Sequence, residues 1–388
     1  MRNNFELLQK VSGNFSLFPV IKANAYGHGA SLIGRCLEDD FSVNQLPLFC
    51  VAQTQEALEL RKSGLNREIL VLSFFEKEDF GLAAENNFSL VMSSTRDLEW
   101  LLEQSPAVQK KTRLHLKFNT GMNRLGFSSE ETTDLLSDGG LFDKLLKSSA
   151  SIEGLMSHLA RSEEDPKIMS HQQGQDLEAI VSRVNKRLGD SGRPACRWVH
   201  LANSASLDRG LLPGVANAGR PGLRLLGAFQ DVADLKSAET AGVKFIPVLS
   251  MHAQLRKVFE VPAGSGVGYG QRFKATRNSL IGTLGMGYAD GIRRQCLTQT
   301  QSALVKSVSI FGTRVPIVGT ISMDMVGIDL SEHPLREKIQ KDFKTQSPIW
   351  GTWIGEGLAI EEIAGSLGTI SYEIFCGLNR RIKRSVVE

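Results

Sequence analysis

At 388 residues the chain exceeds the usual size of one hydrophobic core, so two domains are expected, one of them large enough to be an α/β barrel. Charged residues at 22% and the hydrophobic set at 41% exclude long disordered tracts. The net charge of +3, with Lys and Arg interleaved among Asp and Glu, excludes a nucleic-acid surface, and the one dense basic run, residues 380–384, reads as a solvated or charge-paired segment.

The opening residues Met1-Arg2-Asn3-Asn4-Phe5-Glu6 lack the apolar core of a secretory signal, and no run approaches the ~20 apolar residues of a membrane span, so a cytoplasmic location without membrane partners is expected. Apolar runs separated by amphipathic stretches then predict eight strands: FPVIKAN from Phe18, LFCVA from Leu48, EILVLS from Glu68, FSLVMSS from Phe88, RLHLKFN from Arg113, SIEGLMSHL from Ser151, WVHLANS from Trp198 and LRLLG from Leu223. Helix-like segments lie between them, among them residues 56–63 and 176–188. Alternating strands and helices in that number predict a parallel (β/α)8 barrel over residues 1–235. From 236 to 388 the texture changes to short β-like runs broken by Gly and Pro, as in VKFIPVLSMHAQL and VSIFGTRVPIVG, which predicts a mostly-β second domain. The five cysteines are widely spaced and form no CxxC pair, so reduced thiols and no metal site are expected.

In such a barrel the functional groups gather at the C-terminal ends of the strands. Lys22 ends the first; Lys117, Asn119 and Arg124 cluster at the fifth; His158 ends the sixth; His200, Asn203 and Ser204 end the seventh; Arg220 and Arg224 flank the eighth. A lysine in an apolar strand loses stability as a cation, which suits it to condensation with a carbonyl cofactor. A snorkelling lysine is the plainer alternative, but Gly27 and Gly29 in VIKANAYGHG let backbone approach a ligand closely.

VIKANAYGHG resembles the cofactor-lysine motif of alanine racemases. HLKFNTGMNRLGF, HLANSAS, GRPGLRLLG, GVGYG, GMGYADGIRR, VGTISMDM and ISYEIFCG are similar to further motifs of that family, in the same order and across nearly the whole chain. The resemblance implies a homodimer whose active sites are shared between subunits, each built on a barrel that binds pyridoxal 5'-phosphate, and an activity that interconverts L-alanine and D-alanine, supplying D-alanine for the cell wall. It assigns Lys22 as the residue that carries the cofactor covalently and as one acid/base, and Tyr269 as the second, reaching in from the other subunit. It places Arg220 against the pyridine nitrogen and gives the phosphate to Tyr26, Ser204, Tyr372 and the backbone at Gly222 and Leu223. His158 and His200 join a hydrogen-bond chain near the cofactor, toward Tyr269 and Arg220 respectively. Arg124 and the backbone N–H of Met323 would hold the substrate carboxylate, with Tyr288 and Asp324 near the entrance. Taken singly, each of these residues also has an ordinary structural reading: a locally satisfied tyrosine, a surface ion pair, a core histidine or a buried hydroxyl.

The sequence departs from the family pattern at four places. Lys117 matches a lysine that many members carry as a carbamate, but Asn119 stands where an acid is usual, so either an anion such as chloride takes the carbamate's part or the surroundings of Arg124 are looser. Thr320 replaces a usual arginine and Ser322 a frequent cysteine, which leaves a broader-specificity racemase as an alternative. The family's leading strand is missing ahead of the helix read over residues 3–11. A decarboxylase with a related architecture is a further alternative; such enzymes set a carboxylate against the pyridine nitrogen, and Arg220 speaks against that. A non-catalytic cofactor carrier would have no need of Tyr269.

Overall fold

The computed structural model describes residues 1–162, 168–212, 214–294 and 307–387, and the chain divides into two compact units, Met1–Leu225 and Leu226–Glu388. Residue 235, the boundary expected from sequence, lies inside the helix Val232–Thr240 of the second unit.

The first unit carries eight parallel strands: β1 Ser16–Leu17, β2 Leu48–Gln53, β3 Glu68–Phe74, β4 Phe88–Met92, β5 Arg113–Lys117, β6 Ser151–Met156, β7 Trp198–Asn203 and β8 Ala218–Arg220. Their order is β1-β8-β7-β6-β5-β4-β3-β2. The ring closes through one parallel bridge, Val20 to Cys50, where the Cys50 N–H donates to Pro19 O at 2.8 Å and the Ile21 N–H to Cys50 O at 2.9 Å. Strands such as LFCV of β2 and FSLVM of β4 are buried at every position, as expected where both faces of a parallel sheet are covered. Several helices start from side-chain caps. Ser94 caps Thr95–Leu102, Ser128 caps Ser129–Leu135 and Asn203 caps Ser204–Asp208, each in a reciprocal capping box that fixes where the preceding loop ends.

Two of the expected strands lie elsewhere. The first is Ser16–Leu17 rather than the run from Phe18, because Pro19 has no N–H to give a ladder. The run from Leu223 forms a 3-10 turn, Leu223–Leu226, and the eighth strand is Ala218–Arg220, ahead of Pro221.

The second unit is mostly β. It contains β9 Met251–Val261, β10 Gly266–Val267, β11 Phe273–Lys274, β12 Ser279–Leu284, β13 Ser307–Ile310, β14 Thr313–Val318, β15 Val326–Asp329 and β16 Trp350–Ile354. A closed antiparallel barrel runs β12-β15-β14-β13-β16-β9, with β10 and β11 as a separate hairpin. Val261, Ala275, Ile281 and Val318 form a core under Val267 and Phe273 of that hairpin. Among the described residues no helix is long and apolar enough to cross a membrane.

Candidate active site

Lys22 opens a turn in which four successive non-glycine residues, Ala23, Asn24, Ala25 and Tyr26, take positive φ of 50°, 57°, 52° and 49°. Each such residue costs about 1–2 kcal/mol, so surrounding bonds must hold the turn. The carboxylate of Glu56 does so at its start, accepting the Ala23 N–H at 2.7 Å and the Ala52 N–H at 2.8 Å, and so ties the ends of β1 and β2 together where the ring closes by a single bridge. Asn24 Oδ1 accepts the Ala30 N–H at 2.9 Å, and Gly27 and Gly29 follow with φ of 78° and 101°.

Tyr26 is brought by this turn to Gly222. A Cβ at position 222 would come within 2.6 Å of the Tyr26 hydroxyl oxygen, and the Gly222 N–H donates to Ser204 Oγ at 2.8 Å. Two hydroxyls and a backbone amide therefore converge ahead of Leu223, a cradle of the kind that accepts a phosphate.

Arg220, 4% exposed, ends β8. Its Nη1 lies 2.6 Å from Nδ1 of His200 and donates to His200 O at 2.8 Å. Its Nη2 donates to Ser157 O at 2.8 Å and to Leu201 O at 3.4 Å, and lies 3.1 Å from Nδ1 of His158. All five bonds run to neutral acceptors, because a guanidinium has only donors and both imidazole nitrogens must therefore accept. Burial first, then the charge of Arg220, pulls both histidines well below their ordinary pKa, so they stay neutral. Burial pulls Arg220 itself down to about 10, still a cation at neutral pH.

Lys117, buried at the end of β5, shares this region. Burial, then Arg220, Arg124 and Lys22, lower its pKa to about 8. Asn119 turns its side chain into its own loop: Oδ1 accepts the N–H groups of Gly121 at 3.2 Å and Asn123 at 2.9 Å, and Nδ2 donates to Asn123 Oδ1 at 2.9 Å. It thus shapes the loop that carries Arg124. The exposed Arg124 borders a cleft of about 540 Å3 whose lining includes Ser73, Glu76, Ser94, Arg96 and Trp100. Arg224 is fully buried in an ion pair with Asp208.

In the second unit Tyr269 stands between Gly268 and Gly270, both at positive φ, and is 72% exposed. Its carbonyl accepts the Thr320 hydroxyl at 2.9 Å. Exposed Tyr288 and Met323 belong to adjoining turns: the Tyr288 N–H donates to Ser322 O at 3.1 Å and the Ala289 N–H to Met323 O at 3.0 Å. Arg381 bridges Asp290 and Asp324 at 2.8 Å each. Tyr372, half-buried, lies in the helix Ser371–Cys376. Sequence reasoning passed over His115 and Glu56. The signal for His115 was a polar residue between apolar neighbours in RLHLK; Glu56 reads as an ordinary first-turn helix acid.

The family described as alanine racemase, N-terminal domain, matches residues 1–230, and that described as alanine racemase, C-terminal domain, matches residues 248–386. The chain is 33% identical to an alanine racemase of Pseudomonas entomophila, over 98% of this chain and 94% of that one. It is also 33% identical to a catabolic alanine racemase of Pseudomonas putida, with the same coverage. Among solved structures, alanine racemase of Clostridium difficile superposes with a TM-score of 0.81 at 26% identity, covering 99% of this chain and 92% of that one. Alanine racemase of Bartonella henselae with covalently bound pyridoxal phosphate superposes with a TM-score of 0.78 at 26% identity, covering 99% and 96%.

Proposed function

The chain belongs to the alanine racemase family, and from that premise we propose that it interconverts L-alanine and D-alanine with two acid/bases, Lys22 and the partner subunit's Tyr269, one taking the Cα proton from one face and the other delivering a proton to the opposite face. The residues present suit pyridoxal 5'-phosphate. The Tyr26 hydroxyl and the Ser204 hydroxyl, whose oxygen is held by the Gly222 N–H, offer donors for a phosphate, Lys22 the amine that would carry the cofactor, and Arg220 a cation for the side of the ring nitrogen. When bound, the cofactor supplies the electron sink that makes the Cα–H acidic.

Racemisation removes a proton from one face of Cα and returns one to the other, so it needs an acid/base on each side. Lys22 serves one face and the partner subunit's Tyr269 the other. Arg124 and the Met323 N–H hold the substrate carboxylate, so that Cα is presented to both bases. Tyr372 adds a phosphate hydroxyl, and Tyr288 and Asp324 border the entrance.

The observation that carries the reading is the setting of Arg220. Held, among the described residues, only by neutral acceptors, it keeps its full charge, and a cation there disfavours protonation of the ring nitrogen. That weakens the sink enough to limit side reactions while proton exchange at Cα continues, and it disfavours a decarboxylase. The product would serve as D-alanine for peptidoglycan, in a homodimer. A cytoplasmic setting is supported by Cys36, Cys50 and Cys196, none of which forms a disulfide.

The test is conversion of L-alanine to D-alanine by the protein loaded with pyridoxal phosphate, run beside L-serine, L-lysine and L-arginine, with Lys22→Ala as control. Conversion of alanine that disappears in the control supports the reading; no racemisation of any substrate overturns it. A wider substrate range is the alternative, and turnover of the longer amino acids in the same assay would establish it.

A further inference from the structure

The mechanism above uses Arg220 and leaves a third buried imidazole without a role. His115 is fully buried on β5, and its Nδ1 lies 2.7 Å from Nε2 of His200. The tautomers along this line follow from the donor inventory. Nδ1 of His200 accepts from Arg220, so the proton of this neutral imidazole sits on Nε2 and is donated to Nδ1 of His115. The proton of His115 is thereby left on its own Nε2, a buried atom with no hydrogen-bond partner among the described residues. An unpaired buried N–H is a cost that an apolar residue at 115 would avoid. The fold also makes room for the ring. His115 pairs in register with Gly154, and a Cβ at 154 would stand 2.3 Å from His115 Nδ1. Two sequence choices thus preserve an imidazole where a leucine would cost less.

We propose that His115 is a positioning residue whose Nδ1 accepts the His200 proton and locks His200 as the Nε2–H tautomer, the only neutral form able to accept a hydrogen bond from Arg220 at Nδ1. With the proton on Nδ1 instead, two donors would face each other across the 2.6 Å contact, and the guanidinium would turn away from His200. The same turn would weaken its contact with His158 Nδ1, which meets the other arm at 3.1 Å. Protonated His115 would break the lock as well, since its Nδ1 would become a donor; burial and the charge of Arg220 oppose this, pulling its pKa down to about 3. The catalytic consequence rests on the reading of Arg220 given above, whereas the tautomer assignment does not.

The test is nitrogen-15 NMR of histidine-labelled protein, with and without added pyridoxal phosphate, on the wild type, His115→Asn and His115→Leu. The Asn variant keeps an acceptor oxygen near the place of Nδ1; the Leu variant removes it. His200 is expected as Nε2–H in the first two and shifted toward Nδ1–H in the third. Alongside, kcat should fall about tenfold in His115→Leu at unchanged KM and recover to within about twofold of wild type in His115→Asn. A wild-type His200 protonated on Nδ1 overturns the proposal even if neither variant folds. So does an unchanged His200 tautomer in His115→Leu, or an equal loss in both variants. Wild-type protein with the stated tautomers and no racemase activity would instead overturn the functional reading and leave the relay standing.

Discussion

A side chain at Gly222 and the present seat of Tyr26 exclude each other, since a Cβ there would stand 2.6 Å from the phenolic oxygen. Gly222→Ala should therefore push the Tyr26 hydroxyl out of the cradle that it forms with Ser204. One lost hydrogen bond to a charged group is worth roughly 1.5–3 kcal/mol, so the affinity for pyridoxal phosphate should fall at least about tenfold. Fluorescence titration of the cofactor-free protein measures it, and Ser204→Ala should show a comparable loss. Wild-type affinity in both variants would remove these residues from phosphate binding.

Tyr269 is exposed within its own unit, so Tyr269→Phe should leave the melting temperature unchanged within error. If its hydroxyl is the second acid/base, racemisation should drop by roughly 10²–10⁴. Because the proposal draws this tyrosine from a partner, wild-type activity per subunit should also decline on dilution, followed by circular dichroism of the product. Activity that stays constant down to a demonstrated monomer would exclude the shared site.

The strand-end logic made much of the first unit legible in the sequence, because buried parallel strands are continuous apolar runs and polar residues at their ends stand out. It failed at two neighbouring strands, β1 and β8. FPVIKAN is apolar enough to read as a strand, yet Pro19 cannot donate to a ladder, and the left-handed turn that follows has no signature in residues as ordinary as Ala23 and Ala25. The eighth strand, Ala218–Arg220, has no apolar run to announce it, whereas Leu223, Leu225 and Leu226 are buried without being a strand. His115 escaped notice because its role depends on His200, 85 residues away. No local pattern encodes that contact.

Arg224 and Arg220 are four residues apart in sequence and differ in what they face. Arg224 is paired with Asp208, both nearly inaccessible to solvent. Arg224→Met would remove the cation that faces the buried Asp208 carboxylate, at a cost of about 3–5 kcal/mol. The double variant with Asp208→Leu should recover much of that. Urea denaturation of the three proteins measures it; a loss below about 1 kcal/mol in the single variant would show that the pair is not buried in solution.

Lys117 gives a pH-dependent prediction whose sign follows from its surroundings. Its folded pKa of about 8 lies below the ordinary lysine value of 10.5, so the unfolded chain binds more protons between those limits. Stability contributed through this residue therefore rises as pH climbs from about 8 to 10.5, and the penalty for burying the charged amine is fully present below about 8. Lys117→Met should make the cofactor-free protein more stable than wild type at pH 7 by about 1–3 kcal/mol, an advantage that shrinks through that window. If an anion or a carbamate offsets the cluster of Lys22, Lys117, Arg124 and Arg220, then chloride or bicarbonate should raise the wild-type melting temperature at pH 7 and leave the variant unmoved. A variant less stable than wild type at pH 7 in anion-free buffer would mean that the amine already has a compensating partner, and the cationic cluster would lose its claim to recruit one.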